Sequence, residues 1–170
     1  MPVTIRPATV DDIAEITQIY NQAGVGTTAS YDLAPVTVAE RTEWFEAKQR
    51  RNFPTLVAVD DGQTVGFASY GTFREKAGYD YTVEHSVYVR DGHRASGVGR
   101  MLMSALIDHA RGHGVHVMVG ALDGSNEASV AFHLSLGFVE VARMPEVGRK
   151  FGRWLDLVLV QLTFEGPDPA

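Results

Sequence analysis

The sequence predicts an α/β fold, one domain in which a central sheet carries helices on its faces. Three observations predict it. Short runs rich in β-branched and aromatic residues, such as "TVGFASYGTF" and "RWLDLVLVQLTF", alternate with longer stretches of helical period. The chain has 170 residues of which 45% are hydrophobic, enough for one sizeable core. No repeat, linker or low-complexity break divides it.

The elements follow in order. "VTIRPA" reads as a first strand. Thr9 caps a helix through "VDDIAEITQIYN", with Asp12 three residues on as a weak capping box, and Ile13, Ile16, Ile19 and Tyr20 share one helical face. Thr37 and Glu40 make a better capping box for "TVAERTEWFEAKQRR". "TLVAVD" and "TVGFASYGTF" flank "DGQ" and predict a hairpin. The strand "HSVYVR", a helix from about Gly97 to His113 and the strand "HVMVGAL" come next. A short helix from Glu127 to Leu136 stops at Gly137, a residue type suited to the position just past a helix end. "FVEVAR" and "RWLDLVLVQLTF" are the last strands, so the domain is expected over 1–164 with a frayed tail at 165–170.

Composition excludes several classes of function. A net charge of −6 argues against a nucleic-acid partner. The absence of cysteine removes disulfides, zinc–thiolate sites and a cysteine nucleophile. No apolar run reaches membrane-spanning length, and "MPVTIRPATV" lacks a signal-peptide pattern, so no membrane association and a cytoplasmic location are expected. His109 and His113 are spaced i, i+4, but Gly112 and Gly114 flank the second and no third ligand has a metal-site spacing, so no metal is expected.

The stretch "HRASGVGR" joins a strand to a helix through Arg94-x-x-Gly97-x-Gly99. A helix N-terminus presents backbone N–H groups and partial positive charge, and glycines let a ligand approach the backbone. Phosphate or pyrophosphate is the usual guest, with Arg94 and Arg100 placed to add charge-assisted bonds. The alternative is a turn whose glycines serve only its geometry. The spacing is neither the Rossmann fingerprint nor a P-loop.

This pattern resembles the acetyl-CoA pyrophosphate loop of the GCN5-related N-acetyltransferases (GNAT), as do the opening "IRPAT" and the late segment "SNEASVAFHLSLGF". "YTVEHSVYV", "HVMVGA" and "KFGRWLDL" resemble, more narrowly, the phosphinothricin and methionine sulfoximine N-acetyltransferase branch. The resemblance implies a mixed, mostly antiparallel sheet flanked by helices. It implies acetyl-CoA as co-substrate, a small L-amino acid as the other substrate and a homodimer. It implies resistance to amino-acid herbicides and antimetabolites. By resemblance, Val87, Tyr88 and Val89 pair their backbone with the pantetheine arm, and Ala95, Ser96, Gly97, Val98, Gly99 and Arg100 wrap the pyrophosphate. Asn126 also meets the cofactor. Arg74, Glu75 and Lys76, then Glu84, His85 and Ser86, with Tyr31 and Tyr79, line the substrate side.

Each residue also has a structural reading. Asn126 suits a helix N-cap. Arg74 to Lys76 read as a solvated loop, and the tyrosines as ordinary aromatics. Glu84 is either on a solvent-facing strand position or in a site. The chemistry asks for a base, because an ammonium must lose a proton before it attacks a thioester. By resemblance Glu84 is that base, and His133 protonates the departing thiolate; the alternative for His133 is a surface or core histidine. Direct transfer in a ternary complex is expected, since no cysteine offers an acyl-enzyme route. Two rival functions stand beside this: acetylation of another amine (aminoglycoside, polyamine or protein N-terminus), and a non-catalytic acyl-CoA sensor.

Overall fold

In the computed structural model, residues 2–166 are described. The predicted tail lies mostly outside them. Seven strands form one sheet in the order β1-β2-β3-β4-β5-β7-β6. They are β1 (Thr4–Pro7), β2 (Thr55–Asp60), β3 (Gln63–Thr72), β4 (Thr82–Val89), β5 (Val117–Asp123), β6 (Val139–Lys150) and β7 (Arg153–Thr163). The helices are α1 (Ile13–Ile19), α2 (Val38–Arg50), α3 (Val98–Gly112) and α4 (Glu127–Ser135). β4 and β5 run parallel, whereas β1/β2, β2/β3, β5/β7 and β6/β7 are antiparallel. Among the described residues, contacts gather into two compact units, 2–70 with 86–107, and 71–85 with 108–166.

In the first unit, the apolar face read from the sequence is the core. Ile13, Ile16 and Ile19 are buried with Phe45 of α2, Val57 of β2 and Phe67 of β3. Asp12 does more than cap. It accepts two bonds of 2.8 Å from the Arg6 guanidinium, one from the Thr9 N–H at 2.8 Å and one from the Thr64 hydroxyl at 3.0 Å. The capping box at α2 forms as expected, with Thr37 N–H to Glu40 Oε2 at 2.7 Å and Glu40 N–H to Thr37 Oγ1 at 3.2 Å. The β2/β3 hairpin turns on Asp61 and Gly62, both at positive φ, the two-residue geometry that matches strand twist.

Two elements differ from expectation. The first helix does not end near Asn21 but continues as a π-helix over Tyr20–Val25. That form is rare and concentrates at functional sites. The strand predicted as "FVEVAR" runs on to Lys150. Pro145 and Gly148 argue against a strand by composition, but a register irregularity between Met144 and Gly148 absorbs them. Within it Glu146 takes φ 55°, and its N–H donates to Asp156 at 2.9 Å.

In the second unit, β4 pairs with β5 only over Thr82 to Glu84, and β5 then pairs with β7 along its whole length. Among the described residues, no helix is long and apolar enough to cross a membrane.

Candidate active site

The loop before α3 is built by unusual backbone. Ala95 and Gly97 both have positive φ, 66° and 87°, which turns successive N–H groups toward one side. The first bond of α3 runs from Met101 N–H to the Gly97 carbonyl at 3.0 Å, so the N–H groups of Val98, Gly99 and Arg100 lie ahead of it at the positive end of a 15-residue helix. A Cβ on Gly97 would meet nothing within 4 Å, so the space beside the loop is open to a ligand. Ser96 closes the turn through its hydroxyl onto the His93 carbonyl. Arg94 lies 3.0 Å from Asp91, both half-exposed, a surface pair that yields readily to a better anion.

The same unit holds a cavity of about 330 Å³. Tyr20 at the start of the π-helix and Tyr88 of β4 meet edge to face across 5.3 Å in its wall. Arg41 and Trp44 enter from α2, with Val36 before it. Arg41 is only 7% exposed; its guanidinium lies 4.0 Å from the Tyr20 ring centre and 4.6 Å from that of Trp44, and its Nε has no hydrogen-bond partner. Burial pushes the Arg41 pKa down, while the Tyr20 hydroxyl and Asp32 oppose that. Tyr20 also donates to Asp32 and lies 2.9 Å from the Ser30 hydroxyl. Ser86 lines the cavity from β4.

In the second unit, Glu84 is exposed on β4 between the buried Val83 and His85. It precedes Ser86 by two residues, so the two side chains alternate onto one face of the strand. His85 is buried with neither ring nitrogen partnered. It stacks on His133, centroids 5.0 Å apart, and both rings meet Phe138 edge-on. A Cβ on Gly120 would lie 2.7 Å from His85 Nε2, so glycine is what admits the ring.

His133 is 2% exposed, and its Nδ1 lies 2.7 Å from the Ser129 carbonyl. A carbonyl only accepts, so Nδ1 carries the proton and Nε2 presents a lone pair. Burial lowers the pKa of this ring, against the opposing pull of the Ser129 carbonyl. His133 is thus a buried ring of the second unit whose Nε2 has no hydrogen-bond partner.

Asn126 caps α4, its Oδ1 accepting from Ser129 N–H at 3.0 Å. Arg74, Glu75 and Lys76 are exposed in the loop after β3, where Arg74 lies 5.1 Å from the Phe73 ring. Tyr79 ends a 3₁₀ turn and meets Phe73 edge-on at 5.8 Å. Tyr31 is half-buried in the loop before α2. Its neighbour Asp32, rather than Tyr31, lines the cavity. His109 and His113 stack at 3.8 Å, with His113 Nδ1 against the His109 carbonyl.

The chain matches the Acetyltransferase (GNAT) family over residues 13–138. It belongs to that family. It is 49% identical over 166 residues to an L-methionine sulfoximine/L-methionine sulfone acetyltransferase of Pseudomonas paraeruginosa, covering 97% of this chain and 96% of the other. A phosphinothricin N-acetyltransferase of Streptomyces viridochromogenes is 34% identical over 168 residues, 99% of this chain and 91% of that one. An acetyltransferase from Salmonella typhimurium, solved with its cofactor acetyl-CoA, has a TM-score of 0.96 at 47% identity, covering 100% of this chain and 99% of the other.

For this acetyltransferase, the open, positively polarised end of α3 suits a pyrophosphate. The sequence reading had named the loop, and Ser86 and Tyr88 of the cavity. It missed Tyr20, Asp32 and Arg41 as site residues. One signal was available for Arg41: it shares a helical face with Trp44, Phe45 and Lys48, a cation set among aromatics rather than on the solvent side.

Proposed function

We propose that this acetyltransferase transfers the acetyl group of acetyl-CoA directly to the α-amine of small L-amino acids. The preferred side chains are of medium length and end in a polar sulfur or phosphorus group, as in methionine sulfoximine, methionine sulfone and phosphinothricin. The observation that carries this is 49% identity, end to end, with an enzyme named for two of those substrates. A cavity of about 330 Å³ lies at the small end of ligand sites, which favours an amino acid over an aminoglycoside or a protein.

Acetyl-CoA supplies a thioester whose carbonyl carbon accepts the amine. The chain's own residues hold and deprotonate. The end of α3, from Ala95 to Arg100, takes the pyrophosphate through main-chain N–H groups, with Arg94 released from Asp91. Val87, Tyr88 and Val89 offer backbone to the pantetheine, and Asn126 assists from the start of α4. Glu84 takes the ammonium proton, directly or through water, so that the neutral amine attacks. His133, or water in its place, protonates the departing thiolate. Arg74 and Lys76 attract the substrate carboxylate, and the main chain at His85 and Ser86 orients it. Glu75, Tyr31 and Tyr79 shape the entrance.

On the same reading the enzyme acts in the cytoplasm as a homodimer and protects its host from such antimetabolites. The sheet-edge strand β6 supports a dimer, since it leaves Val139, Val141 and Val147 exposed.

A thiol-release assay over an amine panel tests the proposal. L-Methionine sulfone and sulfoximine should turn over, with polyamines, aminoglycosides and peptides at background. The carboxamide of methionine sulfone should react about 10- to 150-fold less well, the cost of one charged hydrogen bond. Equal rates for acid and amide, or better turnover of a polyamine or peptide, overturn it. Acetyl-CoA binding with no turnover of any amine would favour the sensor.

A further inference from the structure

The cavity of the first unit contains a cation that the reaction above does not use. We propose that Arg41 is a specificity-determining residue that donates a hydrogen bond to the oxygen or nitrogen acceptor at the end of the substrate's side chain. This rests on the amino-acid reading above and names what recognises the side chain.

The argument begins with cost. A guanidinium removed from water is expensive unless its donors are met, and buried arginines are ordinarily paired. Arg41 is 7% exposed, and no hydrogen bond satisfies its Nε. The Tyr20 and Trp44 rings cover it at 4.0 and 4.6 Å, and the Tyr20 hydroxyl adds a hydrogen bond, which stabilises the charge but leaves Nε unmet. The guanidinium is thus held in place by aromatic rings in the wall of a cavity, with one donor, Nε, unmet. That is a recognition group awaiting an acceptor.

The surroundings select the kind of acceptor. Asp32 and Glu40 line the same cavity, so it holds one cation against two carboxylates. Both acids are already engaged, Asp32 by the Tyr20 hydroxyl and Glu40 by Thr37. Repulsion from them ranks a full anion, such as the phosphinate of phosphinothricin, below a neutral acceptor without excluding it. A neutral group with strongly polarised acceptors meets the arginine without that penalty, and a sulfone or sulfoximine is such a group. Trp44 and Val36 offer apolar surface for the methyl on its sulfur.

The position is also fixed from two sides. Tyr20 opens the π-helix, and a Cβ on Gly24 within that helix would lie 3.0 Å from the Tyr88 ring and 3.2 Å from the Tyr20 ring. The wall beneath Arg41 is therefore tightly packed and has little freedom to collapse into the cavity.

The test compares L-methionine sulfone with L-methionine, which keeps the chain and loses both oxygens. Wild type should favour the sulfone in kcat/KM. Arg41→Met should lower kcat/KM for the sulfone by about 10- to 150-fold while changing that for methionine less than about 3-fold. Arg41→Lys, which keeps charge without the planar fork, should fall between. Equal loss on both substrates, in a variant that still melts like wild type, would show a structural role and overturn the proposal. So would no loss on either.

A binding measurement covers the case in which Arg41→Met does not fold. Trp154→Phe leaves Trp44 as the sole tryptophan. Its fluorescence should respond to methionine sulfone at lower concentration than to methionine. Equal responses, or none, overturn the assignment. If the sulfone binds this way yet no amino acid is acetylated, the proposed function fails and the Arg41 site stands.

Discussion

His85 tests how the second unit is held together. Burial, followed by the adjacent His133, pushes its pKa down from 6.5 to about 3. In the unfolded chain the ring takes its proton near pH 6.5. The folded value lies below the unfolded one, so on acidification the unfolded state is protonated first. Stability from the neutral ring is therefore complete above pH 6.5 and is lost as pH falls toward 3. Within that window one site costs about 1.4 kcal/mol per pH unit, or about 3 kcal/mol between pH 6.5 and 4.5. Against a typical total of about 5–15 kcal/mol, that is a large fraction. His85→Leu removes the titrating ring and both unpartnered nitrogens, keeps apolar bulk against Phe138 and shortens the approach to Gly120. Urea unfolding of both proteins from pH 7.5 to 4.5, followed by circular dichroism, measures the difference. The wild-type midpoint should fall more steeply than the variant's, by an amount equal to those 3 kcal/mol or so. Parallel curves would refute the reasoning, because they would mean that His85 is hydrated or partnered.

Glu84→Gln should lower kcat/KM by about 10²–10⁴, with partial recovery as pH rises and more substrate amine is already neutral; an unchanged rate across pH 6 to 9 assigns Glu84 to the surface. Gly99→Glu places a carboxylate at the start of α3, and calorimetry should show loss of acetyl-CoA binding in a protein that keeps its melting temperature. For Asp12, burial raises the pKa, but the bonds from Arg6, Thr9 and Thr64 outweigh it and bring the value from 3.8 to about 2. Its contribution is present above pH 3.8 and lost as pH falls through 2. Because Arg6 is 44% exposed, solvent screening reduces this to about 1–2 kcal/mol, so Asp12→Asn should lower the melting temperature at pH 7 and converge with wild type near pH 2.

The elements that were legible in the sequence are those whose signals act over a few residues. The Thr37–Glu40 box, the Asp61-Gly62 turn and the isoleucine face of α1 form from neighbours along the chain, so the pattern alone determined them. Gly97 belongs with them, since its positive φ is a local demand that glycine meets. Local rules also misled, because Pro145 and Gly148 hid the second half of β6. Pairing with β7 supplies the hydrogen bonds that hold a bulge there, and that partner lies across a turn the local pattern does not weigh.

What only the tertiary structure decided was the environment of the polar side chains. In the sequence Arg41 is one charge in a charged helix, and it becomes a buried donor because Tyr20 arrives from α1's π-helical extension and closes over it. His133 likewise reads as a candidate acid. It becomes a buried ring because β4 brings His85 against it, and its Nδ1–H donates to the Ser129 carbonyl one turn back on α4. Residue type and spacing state which chemistry a side chain can perform; burial and partners, set by distant segments, decide which protonation state it holds and what it can reach.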